Sequence, residues 1–112
     1  MITLQRMKKN VEFKKVYTEG RYYVEKYIVM YIVRNSSNYN KVGYSVSKKV
    51  GKAVTRNRIK RLMKENFRNF DENSKKGFDI IFTARQGSAE AEYENIHKNI
   101  ESALIRARIL KK

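Results

Sequence analysis

The stretch that decides the fold runs from Thr55 to Phe70 and reads TRNRIKRLMKENFRNF. Plotted as a helix, its apolar side chains fall within an arc of about 140°; they are Ile59, Leu62, Met63, Phe67 and Phe70. The opposite arc carries Arg56, Asn57, Lys60, Arg61, Lys64 and Arg68, with Arg58 at its edge. This pattern predicts a helix that buries one face against a core and presents a row of cations to water.

The positive charge of the chain is concentrated around this helix. Residues 48–68 contain nine Lys or Arg against one acid, Glu65, whereas residues 69–112 contain eight basic and seven acidic residues. The whole chain carries a formal net charge of +15, which is typical of proteins that bind a polyanion. Solvated helix faces usually mix both signs to gain pairs one turn apart. The sequence therefore favours nucleic-acid binding over an ordinary charged surface.

A short helix and two strands are predicted before the basic helix. Asn10–Glu19 has apolar positions one turn apart, with Asn10 available as a cap and Gly20 as a stop. Arg21–Arg34 carries apolar residues on both faces, which predicts one central strand of a sheet. Lys41–Ser47 predicts another strand, whose face of small side chains leaves room for a ligand or a packed helix; these are Gly43, Ser45 and Ser47.

The segments after the basic helix complete a mixed fold. Phe78–Ala84 predicts a buried strand, and Ser88–Leu110 predicts a second long helix with acids near its start and bases near its end. The order helix, strands, helix, strand, helix predicts an α+β or α/β fold in which helices cover a small sheet. At this length, residues 1–112 are expected to form a single domain.

The composition excludes several kinds of protein. The chain has no cysteine, so it forms no disulfide and no thiolate metal site. Its longest apolar run, Tyr27–Val33, is far too short to cross a membrane, and we expect a soluble cytoplasmic protein with no membrane partner. The only histidine, His97, flanks the apolar face of the last predicted helix, and the carboxylates lack the pattern of a two-metal nuclease. We therefore predict no catalytic residue and no metal ligand.

The aromatic residues suggest a second way of holding a nucleic acid. The chain has eight Tyr and five Phe. Among them, Phe13 and Tyr17 share one face of the first predicted helix, and Tyr31 lies within the long predicted strand. Aromatic rings beside cations can stack on unpaired bases while the cations hold the backbone. The same rings could instead pack in the core, and the residues alone leave both interpretations open.

Three segments resemble one known family. Ser45–Leu62, SVSKKVGKAVTRNRIKRL, closely resembles the signature of the bacterial ribonuclease P protein family; Asn10–Tyr17 is similar to that family's first helix, and Phe78–Arg85 to its last strand. The resemblance implies an α+β sandwich of order αβββαβα, also known from a domain of a small-subunit ribosomal protein. It further implies that Arg21–Val24 is a strand of its own and that the crossover through the basic helix is left-handed.

The resemblance also implies a function. Members of the family assist an RNA subunit that is itself the catalyst and removes the 5′ leader of precursor tRNA with Mg²⁺ bound mainly by the RNA; no cofactor is expected in the protein alone. The residues implied to face the catalytic RNA are Lys52, Arg56, Asn57, Arg58, Lys60, Arg61, Lys64 and Arg68. Those implied to line a cleft for the single-stranded leader are Phe13, Tyr17, Tyr31, Ser45, Ser47, Lys48 and Lys49. We expect a monomer that binds the RNA one to one.

Two other functions are compatible with the residues. A ribosomal or architectural RNA-binding protein would use the same basic helix without a cleft for the leader. A nuclease acting through its own side chains would cleave RNA without an RNA subunit. DNA binding is less favoured, because no helix-turn-helix spacing is visible.

Overall fold

The structure is a computed structural model that describes residues 4–110. After a first two-residue strand, its helices and strands follow the order αβββαβα that the resemblance implies. The elements are β1 (Gln5–Arg6), α1 (Asn10–Glu19), β2 (Arg21–Val24), β3 (Ile28–Arg34), β4 (Lys41–Ser45), α2 (Ala53–Asp71), β5 (Phe78–Ala84) and α3 (Tyr93–Arg106). A short 3₁₀ helix, Gln86–Glu90, precedes α3.

The strands form one five-stranded sheet in the order β1-β4-β5-β3-β2. β4 and β5 are parallel neighbours, whereas β3 pairs antiparallel with both β5 and β2. β1 also pairs parallel with β4, and α2 makes the crossover from β4 to β5. Such connections are right-handed in most proteins, and the left-handed sense implied by the resemblance stays a prediction.

Alternate side chains of the strands supply two hydrophobic layers, one on each face of the sheet. The larger layer lies between the sheet and the helices α2 and α3, and its fully buried residues include Met30, Met63, Phe67, Phe82 and Leu104. The smaller layer lies under α1 and is built on Met7, Val16 and Ile81. Because α1 has only ten residues, part of that face stays open.

The prediction of a single strand over Arg21–Arg34 is wrong, because the chain reverses between β2 and β3 and forms a hairpin. No Gly, Asn or Pro marks the turn in the sequence. Contacts from α3 hold the turn instead. Asn99 Oδ1 accepts a hydrogen bond from the Tyr27 N–H at 2.7 Å, and Arg106 pairs with the Glu25 carboxylate at 2.6 Å. The separate short strand that the resemblance implies is confirmed.

The last helix is shorter than the predicted Ser88–Leu110. The first residues of the predicted helix form the 3₁₀ helix instead. α3 begins at Tyr93, after the cap residue Glu92, whose N–H donates to Asn95 Oδ1 at 2.8 Å. At the other end, Arg108 has a left-handed backbone with φ +62°. This conformation ends the helix although no glycine follows it.

The remaining boundaries agree with the prediction to within two residues, with one difference in capping. α1 has the predicted bounds, but Lys9 is its cap residue and Asn10 already belongs to the helix. The Glu12 carboxylate accepts the backbone N–H groups of Lys8 and Lys9, each at 3.1 Å. A carboxylate inside the first turn therefore bonds the two N–H groups that precede the helix, whereas the side chain of the cap residue makes no capping hydrogen bond.

Candidate nucleic-acid interface

α2 turns one apolar face into the larger hydrophobic layer, as its periodicity predicts. The buried residues of this face are Ile59, Leu62, Met63, Asn66 and Phe67. Asn66 is polar, but each of its two side-chain polar atoms has a partner: Nδ2 donates to the Leu62 carbonyl at 2.9 Å, and Oδ1 lies 3.0 Å from His97 Nδ1. The buried apolar residues and the contact with His97 in α3 fix the rotation of α2 about its axis. That rotation decides which side chains face water.

The cations of α2 other than Arg58, together with the cap residue Lys52, form one water-facing row, which we call the cation stripe. Its exposed members are Lys52, Arg61, Lys64 and Arg68, its half-buried members are Arg56 and Lys60, and Asn57 is exposed among them. Within residues 4–110, the one carboxylate in ion-pair range of the stripe is Glu65, at 4.0 Å from Arg61. Such a long, exposed pair contributes little. The charge of the stripe is therefore available to a polyanion.

Arg58 was predicted to face the RNA, and in the structure its side chain is bonded within the protein. Its guanidinium donates to the Ala89 carbonyl at 2.7 Å and to the Ala91 carbonyl at 3.1 Å. Both carbonyls belong to the segment that leads into α3, so Arg58 ties that segment to α2. The position at the edge of the basic arc explains the difference, because an edge residue can turn toward a neighbouring element.

Four aromatic rings follow one another across the face of the sheet that α1 covers in part. Ring centroids lie 6.4 Å apart between Phe13 and Tyr17, 4.7 Å between Tyr17 and Tyr31, and 6.0 Å between Tyr31 and Tyr22. Tyr17 is 38% exposed and Tyr22 is 65% exposed, whereas Phe13 and Tyr31 are half-buried. We call these four residues the aromatic cleft. The structure thus brings together the three aromatic residues that the resemblance assigns to one cleft.

Gly43 allows Phe13 to approach the sheet closely. A Cβ added at Gly43 would lie 2.6 Å from Phe13 Cζ and 2.8 Å from Phe13 Cε1. The ring therefore lies directly on β4. Of the two interpretations of the small-residue face, a packed helix is confirmed at Gly43. Ser45 follows on the same face and is half-buried.

Two residues at the cleft were missed by the sequence analysis. Thr83 Oγ1 in β5 lies 3.0 Å from the Tyr17 hydroxyl, and this hydrogen bond links α1 to the sheet. Tyr22 pairs with Tyr31 across the β2–β3 hairpin. Both residues could be identified only from the register of the paired strands. That register depends on the β2–β3 hairpin and on the parallel pairing of β4 with β5. Neither could be read from one strand at a time.

The predicted basic edge of the cleft lies in the connection from β4 to α2, residues 46–52. Ser47, Lys48 and Lys49 are exposed there. Ser47 lies beyond the end of β4, contrary to the predicted strand, and its hydroxyl accepts the Lys49 N–H at 3.3 Å. Because the connection runs from the strand beside Phe13 to the start of α2, its cations lie between the aromatic cleft and the cation stripe.

An ion pair anchors the start of α1 to the sheet. The Lys41 ammonium donates to the Glu12 carboxylate. This bond, helped by the backbone N–H groups of Lys8 and Lys9, lowers the pKa of Glu12 from 4.5 to about 2, although partial burial opposes the shift. The pKa of Lys41 is raised by the same bond. The pair fixes the helix that carries Phe13 and Tyr17.

His97, the only histidine of the chain, packs between α2 and α3. His97 bonds to Asn66 and lies against Phe70, with ring centroids 4.8 Å apart, as its place beside the apolar face predicts.

Among residues 4–110, no three His, Asp or Glu side chains gather as metal ligands would. In the same part of the chain, no helix is long and apolar enough to cross a membrane.

Comparison with known proteins gives a consistent result. The family model described as Ribonuclease P matches residues 1–108. The ribonuclease P protein component of Clostridioides difficile is 50% identical over 104 residues, which are 92% of this chain and 91% of that protein. Its counterpart from a strain of Clostridium botulinum is 52% identical over 101 residues, 89% of this chain and 87% of that protein.

Solved structures agree with the sequence relatives. The ribonuclease P protein of Staphylococcus aureus superposes with a TM-score of 0.86 at 34% identity, covering 95% of this chain and 97% of that one. The protein of Thermotoga maritima gives 0.83 at 27% identity, covering 91% and 96%. These matches support the α+β sandwich and favour ribonuclease P over a ribosomal or architectural protein. The chain belongs to the bacterial ribonuclease P protein family and is a subunit of that tRNA-processing enzyme, with ribonuclease P RNA as its partner.

Proposed function

We propose that the subunit binds two different RNAs on its two surfaces. The aromatic cleft takes the single-stranded 5′ leader of precursor tRNA, and the cation stripe takes the catalytic RNA. The observation that carries this proposal is that the two surfaces lie on opposite sides of one sheet and are joined by residues 46–52. A single copy of the chain can therefore contact substrate and catalyst together, and we expect a 1:1 complex.

The chemistry of the aromatic cleft suits an unpaired strand. Partly exposed rings offer stacking surfaces to any base, and stacking depends little on sequence. Ser45 and Thr83 supply hydroxyl groups on the same face, while Lys48 and Lys49 supply charges for the backbone. A leader differs between precursor tRNAs, so a surface that tolerates different bases is appropriate.

The cation stripe suits a phosphate backbone. Its members recur about one helical turn apart, a spacing of about 6 Å along the axis. If all six cations contact phosphates, log K should fall with log salt at a slope of about −4 to −5. Loss of one cation should reduce that slope by about 1.

We propose that hydrolysis is carried out by the RNA subunit. The side chains of both surfaces end in ammonium, guanidinium, hydroxyl and aromatic groups, which suit contacts with phosphates and bases. Mg²⁺ instead prefers carboxylate, carbonyl and phosphate oxygens as ligands. We therefore propose that Mg²⁺ is bound mainly by the RNA. The protein adds positive charge between two polyanions and holds the leader, so it should tighten precursor binding and lower the Mg²⁺ requirement. The absence of cysteine suits a reducing cytoplasm.

The test compares precursor tRNA with mature tRNA, which lacks the leader, in the assembled enzyme. We expect Tyr31→Ala to weaken precursor binding about tenfold and to leave mature tRNA binding unchanged. Lys98→Gln, which removes an exposed cation of α3 away from both surfaces, is the control. Equal affinity of the unmodified enzyme for precursor and mature tRNA would overturn the proposed role of the cleft. Cleavage by the protein without RNA would overturn the proposed place of the chemistry.

A further inference from the structure

A groove separate from the aromatic cleft lies between α2 and the β1 edge of the sheet. Its volume is about 320 Å³, at the lower end of the range for pockets that bind small organic ligands. The residues around it are Leu4, Gln5, Arg6, Val42, Tyr44, Lys64 and Arg68. None of the first five was assigned a role in binding by the sequence.

The groove exists because β1 extends the sheet beyond the helix that covers it. Arg6 pairs with Val42 in parallel register, so both side chains point to the face of the sheet on which α2 packs. β1 has only two residues, and α2 packs further inward on β4 and β5. The result is an uncovered strip along the edge of the sheet.

The floor of the groove is apolar and fixed. Val42 is 3% exposed and Tyr44 is 8% exposed. The Tyr44 ring stacks on Phe82, with centroids 6.1 Å apart and an interplanar angle of 17°. Burial raises the pKa of Tyr44, so its hydroxyl stays protonated and can donate a hydrogen bond. Half-buried Leu4 completes the apolar wall.

The rim of the groove is positive. Arg6, Lys64 and Arg68 are all exposed, and no carboxylate among residues 4–110 lies within ion-pair distance of any of them. The nearby acid Asp71 is already paired with Lys76 at 3.1 Å and accepts from Asn40 at 2.9 Å. An apolar floor below three cations is complementary to a nucleotide, whose base has an apolar face and whose phosphate is an anion.

We propose that this groove binds one unpaired nucleotide of the catalytic RNA, with its base on the Tyr44 floor and its phosphate at the Arg6–Arg68 rim. Lys64 and Arg68 belong to both the groove and the cation stripe, so an RNA on the stripe passes directly beside the groove. The inference therefore rests on the proposed contact between the stripe and the catalytic RNA. It adds a contact with a base to a surface that otherwise contacts only the backbone.

The test is chemical probing of base and backbone reactivity in ribonuclease P RNA, with and without the protein. Leu4→Trp places an indole in the groove without changing any charge. Val11→Trp makes a similar change at a position that is 68% exposed on α1, outside both surfaces. We expect the unmodified protein and Val11→Trp to protect one unpaired base from reagents that modify its pairing edge. We expect Leu4→Trp to restore the reactivity of that base, to keep the backbone protection and to weaken RNA binding about tenfold.

A second variant tests the rim. Arg6→Gln should reduce the salt slope of RNA binding by about 1, whereas Lys98→Gln should leave it unchanged. The proposal is overturned if no base depends on Leu4, or if base protection appears only after precursor tRNA is added, since the occupant would then be substrate. Absence of backbone protection with the unmodified protein would instead contradict the proposed RNA contact of the stripe. Thermal unfolding of each variant shows whether it is folded, and a folded Leu4→Trp that still protects the base also overturns the proposal.

Discussion

Gly43→Ala should displace one ring of the aromatic cleft while leaving every charge of the protein in place. The new methyl carbon would lie 2.6 Å from Phe13 Cζ and 3.3 Å from Met7 Cβ, whereas ordinary contacts begin at 3.4 Å. The Phe13 ring therefore has to move by about 0.8 Å or leave its position on β4. Because the ring is half-buried, it can move toward the open side of the cleft, where the leader is proposed to bind.

Two effects of different size follow from this displacement. Overpacking a fitted site costs about 1–3 kcal/mol, and a partly exposed ring places Gly43→Ala near the lower end of that range. Loss of one stacking surface should weaken binding of an unpaired base by about 1 kcal/mol, which corresponds to about fivefold weaker binding of precursor tRNA. Mature tRNA has no leader to lose, so its affinity should not change.

The assay measures dissociation constants of precursor and mature tRNA for the assembled enzyme, together with thermal unfolding of the free protein. Gly87→Ala is the matched control, because a Cβ at Gly87 meets no atom within 4 Å. A destabilised Gly43→Ala protein that binds precursor tRNA normally would show that Phe13 does not contact the leader. Equal losses for precursor and mature tRNA would place the defect in assembly with the catalytic RNA instead.

Three further predictions concern other contacts. Glu12→Gln should destabilise the protein by about 2 kcal/mol at neutral pH. Because the pKa of Glu12 in the folded protein is lowered from 4.5 to about 2, the wild-type protein should be more stable than the variant by the full amount above pH 4.5. This difference should disappear as the pH falls through 2, and unfolding scans of both proteins at several pH values would measure it. Arg58→Ala should lower the unfolding free energy by about 2 kcal/mol through two lost charge-assisted bonds, whereas Arg61→Ala should leave stability unchanged and reduce the salt slope of RNA binding by about 1. Arg108→Gly should stabilise the protein by about 0.5–1 kcal/mol in thermal unfolding, since it relieves a left-handed backbone at φ +62°.

Periodic elements were predictable from the sequence because their signal is local. α1, α2 and β5 appear where the spacing of apolar residues placed them, to within two residues. The β2–β3 turn was not predictable, because its stabilising partners Asn99 and Arg106 lie in α3, more than 70 residues along the chain. Local turn signals are absent there, and tertiary contacts take their place.

The same distinction explains what could be predicted of the binding surfaces. The cation stripe follows from helical spacing alone, so its members were identified without the fold. Arg58 was predicted to face the RNA, and helical spacing could not reveal its bonds to Ala89 and Ala91, which are 31 and 33 residues away. Tyr22 joins the aromatic cleft only through pairing of β2 with β3. The resemblance named Phe13, Tyr17 and Tyr31 together, but only the packing of α1 on the sheet shows how Tyr31 joins the other two in one surface.

The sheet also determines how the two surfaces can influence one another. Gly43 and Tyr44 are adjacent in β4, so they point to opposite faces of the sheet. Gly43 contacts Phe13 in the aromatic cleft, and Tyr44 forms the floor of the groove beside the cation stripe. A shift of β4 by one residue would exchange these faces and destroy both surfaces. Substitutions that change one side chain should therefore affect either leader binding or RNA-subunit binding. Only changes that move the backbone of β4, or that alter residues 46–52 after it, should affect both together.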